Sequence, residues 1–226
     1  MTNRAPLTAE IFLLLTDDRG KSAASDTRTH AIAAAAIADL ALRGRIAFSE
    51  EKNPRIEILD SAPTGIPELD QALAALAEMP RKRIDAIVQN RRMNLVEATA
   101  GPLIDSGAIE RKDGLFSASF PERDGALEDA LRAHLADIVT GRAQPDERDV
   151  VLLQFLRSAD IAHAILKDDV PELSRRELDR RITELAAESP AARALGKIGE
   201  DLEAVLLTMF VINPSATNAA LLMSRS

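Results

Sequence analysis

Apolar residues recur along most of the chain with the spacing of α-helices. Leu69, Leu73 and Leu76 are separated by four and then three residues, so they share one face of a helix that ends near Pro80. Similar spacing predicts further helical regions, which begin near Leu7, Arg81, Leu127, Pro145, Ser174 and Ala191. Helices therefore dominate the predicted structure.

An alanine-rich segment is the clearest of these helices. It contains Ile32, Ala36, Ile37 and Leu40 at positions that face a core, and Gly44 follows as a C-terminal cap. Because the segment carries so few polar side chains, it is unsuited to hold a catalytic site.

Two short hairpins interrupt the helical pattern. The first pairs Ile46–Phe48 with Arg55–Leu59 across a polar turn. The second pairs Ala108–Lys112 with Leu115–Phe120, and Asp113-Gly114 has the composition of a two-residue hairpin turn. Both hairpins are short additions to a mainly helical chain.

Composition favours the same fold class. Aromatic residues make up only 3% of the 226 residues, with no Trp or Tyr, so the core is aliphatic and suits packed helices better than a β-sandwich. We predict a mainly α protein, a single compact helical domain over residues 7–212 with short β-hairpins and loose termini at residues 1–6 and 213–226.

Charge and cysteine content narrow the function. The absence of cysteine excludes disulfides, thiol catalysis and Cys-ligated zinc, and it is typical of a reducing cytoplasm. The formal net charge of −8 argues against wholesale nucleic-acid binding. We find neither a signal-peptide pattern nor an apolar run near the roughly 20 residues that span a bilayer. We therefore expect a cytoplasmic protein.

Nothing in the sequence indicates an enzyme. The three histidines, His30, His134 and His163, lack the spacing of a metal site, and we expect His134 and His163 to be ordinary surface or boundary residues. Gly196-Lys197 resembles the end of a phosphate-binding loop, but the required first glycine and final hydroxyl residue are absent. We expect no catalytic residue, no cofactor and no bound metal.

A basic segment is the main candidate for binding. It contains five cations within twelve residues, Arg81, Lys82, Arg83, Arg91 and Arg92. If the segment is one helix, Arg81 and Arg92 lie nearly on one face, which could bind a phosphate or an anionic membrane. The alternative is a solvated face neutralised by acidic neighbours.

Several motifs resemble the Golgi phosphoprotein 3 family and its bacterial members in particular. They occur in collinear order from about Leu7 to Ile212, as Leu13-Leu-Leu-Thr-Asp-Asp, Asp39-Leu-Ala-Leu-Arg-Gly-Arg-Ile46, Ala62-Pro-Thr-Gly65, Leu69-Asp-x-Ala-Leu73, Leu103-Ile-Asp-Ser-Gly-Ala-Ile109 and Pro145-Asp-x-Arg148. The resemblance implies a helical domain that docks reversibly on membranes through phosphatidylinositol 4-phosphate. It also implies an adaptor without enzymatic activity.

The family's headgroup ligands are replaced in this chain. The four family positions, an aromatic and three basic residues, fall on Ala24, Ala33, Met93 and Val96. Nearby basic residues are possible substitutes, so we predict a lipid-headgroup site formed by Arg28, His30, Arg81, Arg91 and Arg92. The resemblance also predicts that Leu115 and Phe116, near the tip of the second hairpin, contact the membrane. The alternative is that this hairpin packs inward.

Three functions remain open. The first is a peripheral membrane protein whose partner is a phosphoinositide or another anionic lipid surface, with a protein client as a second candidate partner. The second is a helical interaction scaffold whose lipid site has decayed. The third is a winged-helix DNA-binding regulator, which the net charge and the poorly suited residues Val96, Glu97 and Ala100 disfavour.

Overall fold

The computed structural model describes residues 4–16, 25–49, 54–80, 83–114, 118–123 and 125–211, without the side chains of residues 25–27, 85 and 207–211. These residues belong to two units, Met1–Gly125 and Ala126–Ser226. Each unit is mainly helical, which confirms the fold class predicted from the sequence. The single domain over residues 7–212 stays a prediction.

The first unit combines five α-helices, one 3₁₀ turn and two hairpins among its described residues. Its elements are α1 Leu7–Leu14, α2 Ser25–Leu42, β1 Ile46–Phe48, β2 Ile56–Ile58, α3 Pro67–Ala77, α4 Ile84–Val88, the 3₁₀ turn Arg91–Met93, α5 Val96–Asp105, β3 Lys112–Asp113 and β4 Ala118–Ser119.

Helix α2 forms the centre of this unit. Alanine is the strongest helix former, and its small side chain lets neighbouring helices approach closely. Helix α1 packs along α2, and all eight residues of α1 are buried. Helix α2 ends as predicted, because Gly44 adopts a φ of +65° and the Arg45 amide donates to the Leu40 carbonyl at 2.9 Å.

Buried carboxylates hold the N-terminus of α1. The Leu7 amide donates to Asp39 Oδ2 at 2.8 Å, and the Thr8 hydroxyl donates to Glu68 Oε1 at the same distance. Arg43 Nε also donates to Asp39 Oδ1, at 2.8 Å. Because a helix N-terminus carries partial positive charge, these two acids stabilise α1 against α2 and α3.

Glu68 is the least satisfied member of this network. Its Oε2 atom is buried without a hydrogen-bond partner among the described residues. Burial raises the pKa of Glu68 above its ordinary value, and the negative charge of Asp39 raises it further. The hydrogen bond from Thr8 and the positive charge of Arg43 oppose this rise without cancelling it.

The first hairpin matches its prediction, but the turn of the second differs. Strands β1 and β2 pair antiparallel, with Ile46 opposite Ile58. In the second hairpin Asp113 lies opposite Ala118, so Asp113 belongs to a strand and the predicted two-residue turn is wrong. The buried side chains of Ile109 and Phe120 hold this register, since a one-residue slip would expose them.

The basic segment is not one helix. Helix α4 ends at Val88 and Arg92 lies in the separate 3₁₀ turn, so the single helix on which a shared face of Arg81 and Arg92 depended does not form; Arg81 itself lies outside the described residues. The cause lies in two asparagines. The Asn90 side chain accepts from the Arg92 amide at 3.1 Å, and the Asn94 side chain accepts from the Val96 amide at 3.3 Å. Such local bonds replace helical ones and end a helix.

The second unit is helical throughout its described residues. Its elements are α6 Ala126–Val139, α7 Glu147–Ser158, α8 Ala162–Leu166, α9 Arg175–Glu188, α10 Pro190–Leu195 and α11 Lys197–Val211. Capping boxes at Asp146 and Ser174 begin α7 and α9. Gly196, with a φ of +52°, separates α10 from α11.

Candidate functional site

Arg28 ends the first turn of α2 and packs against two aromatic rings. Its guanidinium carbon is 5.2 Å from the ring centroid of Phe12 and 5.4 Å from that of Phe120. The two rings meet edge to face, with centroids 5.5 Å apart. Only 6% of Arg28 is exposed. Cation–π contacts with both rings therefore fix its charge inside the protein.

Arg111, at the base of the second hairpin, shares the Phe120 ring with Arg28. Its guanidinium carbon is 5.9 Å from the Phe120 centroid. Arg111 Nε donates to Asp113 Oδ1 at 2.8 Å, and Nη1 pairs with Glu97 at the start of α5. The hydrogen bond with Asp113 and the charge of Glu97 raise the pKa of Arg111 further above its usual value. Arg111 itself is exposed.

These contacts define a hairpin-base cluster, which consists of Phe12, Arg28, Glu97, Arg111 and Phe120. The cluster links the beginning of α2 with the beginning of α5 through the hairpin. Two of the positions that the resemblance assigns to headgroup ligands lie on the same two helices, since Ala33 is in the middle of α2 and Val96 directly precedes Glu97 in α5. Ala33 and Met93 are fully buried, so neither position faces solvent.

Arg91 and Arg92 belong to a different set of contacts. Both are exposed on the 3₁₀ turn, and Arg92 Nε donates to Glu78 Oε2, just after α3, at 2.6 Å. We call Glu78, Arg91 and Arg92 the α3-end cluster. The predicted site residues thus divide between two clusters, because Arg28 contacts Phe12 and Phe120 whereas Arg92 contacts Glu78.

Of the other predicted site residues, His30 alone lies within the described part of the chain. His30 is half-buried on α2, two residues after Arg28. Arg81, Leu115 and Phe116 lie outside the described residues, as does Ala24. Their roles stay predictions.

Arg111 is the residue that sequence reasoning missed. The available signal was the pair Arg111-Lys112 immediately before Asp113-Gly114, two exposed cations on the first strand of the hairpin. A basic pair beside a predicted membrane-contacting tip favours an anionic ligand. The packing of Arg111 on Phe120 depends on tertiary structure and leaves no local signal in the sequence.

The two histidines of the second unit, His134 and His163, are half-buried. His134 Nε2 lies 3.0 Å from Asp149 Oδ1, at the boundary of the core. Asp160 pairs with Arg175 at the start of α9. Within the described part of the chain, no group of three or more acidic or histidine side chains could hold a metal ion.

The fold and the two clusters define a mainly helical protein with two arginines at the base of a hairpin and two beside the C-terminal end of α3. None of the described helices combines the length and apolar character that crossing a bilayer requires. Residues 7–202 match the model of the Golgi phosphoprotein 3 (GPP34) family, and the chain belongs to this family. A comparison with curated proteins finds no significant match.

Proposed function

We propose that this protein is a peripheral, non-enzymatic adaptor that docks on anionic lipid headgroups of the phosphatidylinositol 4-phosphate type. Family membership over residues 7–202 is the observation that carries the proposal, because the family is known for membrane-associated adaptors. The hairpin-base cluster also supports it, because this cluster draws Arg28 from α2 and Glu97 from α5, the two helices that hold the implied ligand positions Ala33 and Val96.

Arg111 is the headgroup ligand in this proposal. Its present partners, Glu97 and Asp113, are themselves exposed, and such surface ion pairs contribute only about 0–1 kcal/mol. A phosphate monoester offers two negative charges and matches a guanidinium through two parallel hydrogen bonds. It can therefore displace one carboxylate at little cost, with Lys112 as a second exposed cation nearby.

Arg28 acts as a positioning residue. Because its buried guanidinium contacts both rings, it stabilises the orientation of Phe120, and Phe120 in turn supports Arg111. The basic residues of the α3-end cluster add electrostatic attraction, at about 1 kcal/mol per residue near an anionic surface. Leu115 and Phe116, which the resemblance assigns to membrane contact, would add roughly 1.5–3 kcal/mol each if fully inserted.

A single substitution tests this assignment. We expect Arg111→Gln to weaken binding to anionic vesicles by at least about fivefold, because it removes one charge and its bidentate contacts. Vesicle co-sedimentation at low ionic strength measures the loss. Arg142→Gln is the matched control, since Arg142 is also exposed and pairs with one carboxylate, Asp137, at 2.6 Å.

The proposal requires that Arg111→Gln bind anionic vesicles more weakly than Arg142→Gln does. Equal binding by Arg111→Gln and Arg142→Gln would remove the hairpin-base cluster from the lipid site. Failure of the unsubstituted protein to bind any vesicle would favour the helical interaction scaffold instead.

A further inference from the structure

Two carboxylates already occupy the guanidinium of Arg111, the headgroup ligand of the proposed function. Arg111 Nε donates to Asp113 Oδ1 at 2.8 Å, and Nη1 pairs with Glu97. The three side chains together carry one more negative than positive charge. An anionic headgroup that approaches Arg111 is therefore repelled by this group, and it binds only in place of one of the two carboxylates.

Asp113 is the local partner of Arg111. It lies two residues further along the second hairpin, where its backbone is paired with Ala118. Because one hairpin holds both ends of this contact, the pair forms again easily after it breaks, at little cost in conformational entropy. We therefore expect Asp113 to remain beside Arg111 when a ligand arrives.

Glu97 is the partner from a separate element. It lies in the first turn of α5, fourteen residues before Arg111. Its side chain is 62% exposed, and rotation about its own side-chain bonds moves the carboxylate into water without any movement of the helix. An exposed ion pair of this kind contributes little to stability. Glu97 is thus the carboxylate that a ligand replaces at the smallest cost.

The hairpin keeps Arg111 in place when Glu97 withdraws. The guanidinium carbon of Arg111 lies 5.9 Å from the centroid of Phe120, a buried ring. On the backbone, the amide of Glu110 donates to the Pro121 carbonyl at 2.9 Å. A phosphate that replaces Glu97 therefore meets Nη1 and the neighbouring Nη2 in a fixed position, and two such donors suit bidentate contact.

We propose that Glu97 is an intramolecular competitor of the lipid headgroup, because it occupies Arg111 in the free protein and withdraws when a phosphate binds. The inference rests on the proposed lipid docking and assigns a regulation to that same site. Since the pair and the headgroup exclude each other at Nη1, whatever weakens the pair between Glu97 and Arg111 strengthens headgroup binding. The strength of an exposed ion pair sets the size of this effect at about threefold to fivefold in affinity.

A double-mutant cycle at positions 97 and 111 tests the competition. Co-sedimentation of the full chain with vesicles of phosphatidylcholine and phosphatidylinositol 4-phosphate measures binding. The gain from Glu97→Gln should be about threefold to fivefold larger with Arg111 present than in the Arg111→Gln background, where only the general effect of one fewer negative charge remains. An equal gain in the two backgrounds would overturn the proposal.

The matched control is Glu184→Gln on α9. Glu184 pairs with Arg180 at 2.7 Å, and its side chain is 38% exposed, so the substitution also removes one carboxylate from a surface ion pair. It should tighten vesicle binding less than Glu97→Gln does, and an equal gain would contradict the proposal.

Glu97 has a second role, which the sign of the effect separates from the first. As an acid in the first turn of α5, it stabilises the helix N-terminus. Loss of that role would loosen α5 and would not tighten binding, whereas loss of the competition tightens it. Weaker vesicle binding by a Glu97→Gln variant with native circular dichroism would therefore overturn the proposal.

The same variants distinguish a failure of this inference from a failure of lipid docking. If the unsubstituted protein binds the vesicles and Glu97→Gln binds equally, docking stands and the competition is wrong. If neither protein binds, both proposals are wrong. Binding by Glu97→Gln alone would support the competition, because the Glu97 carboxylate would then be the group that keeps the free protein from the membrane.

Discussion

Arg28 and Arg92 carry the same charged group in opposite surroundings. Arg28 is 6% exposed and its guanidinium contacts two aromatic rings, whereas the side chain of Arg92 is 60% exposed and pairs with one equally exposed carboxylate. The first arrangement fixes the charge and stabilises the fold. The second leaves the charge available for exchange with a ligand, so the two arginines have different tasks.

The largest effect that separates them concerns stability. Arg28→Leu removes both cation–π contacts, and we expect a loss of about 2–3 kcal/mol in the free energy of unfolding. Arg92→Leu removes one exposed ion pair and should change it by less than about 1 kcal/mol. Urea titration followed by far-ultraviolet circular dichroism is the suitable measurement, since the chain has no Trp or Tyr.

Arg28→Lys sharpens the same contrast. Lysine retains the charge but lacks the planar group that stacks on the rings, so the variant should be destabilised nearly as much as Arg28→Leu. Full stability of Arg28→Lys would show that charge alone matters at this position.

The sequence predicts the helices well but does not predict the burial of Arg28 against two aromatic rings. Periodic apolar positions such as Leu69, Leu73 and Leu76 identified α3, and Gly44 identified the end of α2, because spacing and caps are local properties. The burial of Arg28 depends on Phe120, which lies 92 residues away in the printed sequence. No local pattern reports such a contact.

The basic segment shows a second limit. Its spacing suggested one helix, but the side chains of Asn90 and Asn94 bond to nearby amides and divide it. Asparagine is a weak helix breaker on average, and its effect here depends on which amide its side chain reaches. The predicted site assumed one continuous helix, and this assumption is wrong because α4 ends at Val88, before Arg92.

The next prediction concerns ligand binding by the exposed arginines. Arg91→Ala combined with Arg92→Ala should weaken binding to anionic vesicles by about thirtyfold, from about 1 kcal/mol per residue. Stability should be nearly unchanged, in contrast with Arg28→Leu. Unchanged sedimentation of the double variant would exclude the α3-end cluster from the lipid-binding surface.

Carboxylates extend the comparison between buried and exposed charges. Burial raises the pKa of Glu68, so the folded state holds its proton more tightly than the unfolded state. Its contribution to stability is complete below the unfolded value of about 4.3 and is lost as the pH rises through the folded-state pKa. Relative to Glu68→Gln, the unsubstituted protein should therefore lose stability as the pH rises.

Exposed Glu177 should behave in the opposite way. Hydrogen bonds from the Ser174 hydroxyl and amide lower the pKa of Glu177. Relative to Glu177→Gln, the unsubstituted protein should therefore gain stability as the pH rises through the acid range, and by less than the change at Glu68 because Glu177 is solvated. Urea titrations at several pH values measure both, and parallel curves for the two pairs would contradict the assignment of Glu68 as the buried acid.

Co-sedimentation of the unsubstituted protein with three kinds of vesicle tests the central claim most directly. The vesicles are neutral, generally anionic, and neutral with added phosphatidylinositol 4-phosphate. The account predicts binding to vesicles that display anionic headgroups, strongest with the phosphoinositide, and none to neutral vesicles. Absence of binding to all three would contradict it and leave a helical scaffold with the fold of a lipid-binding family.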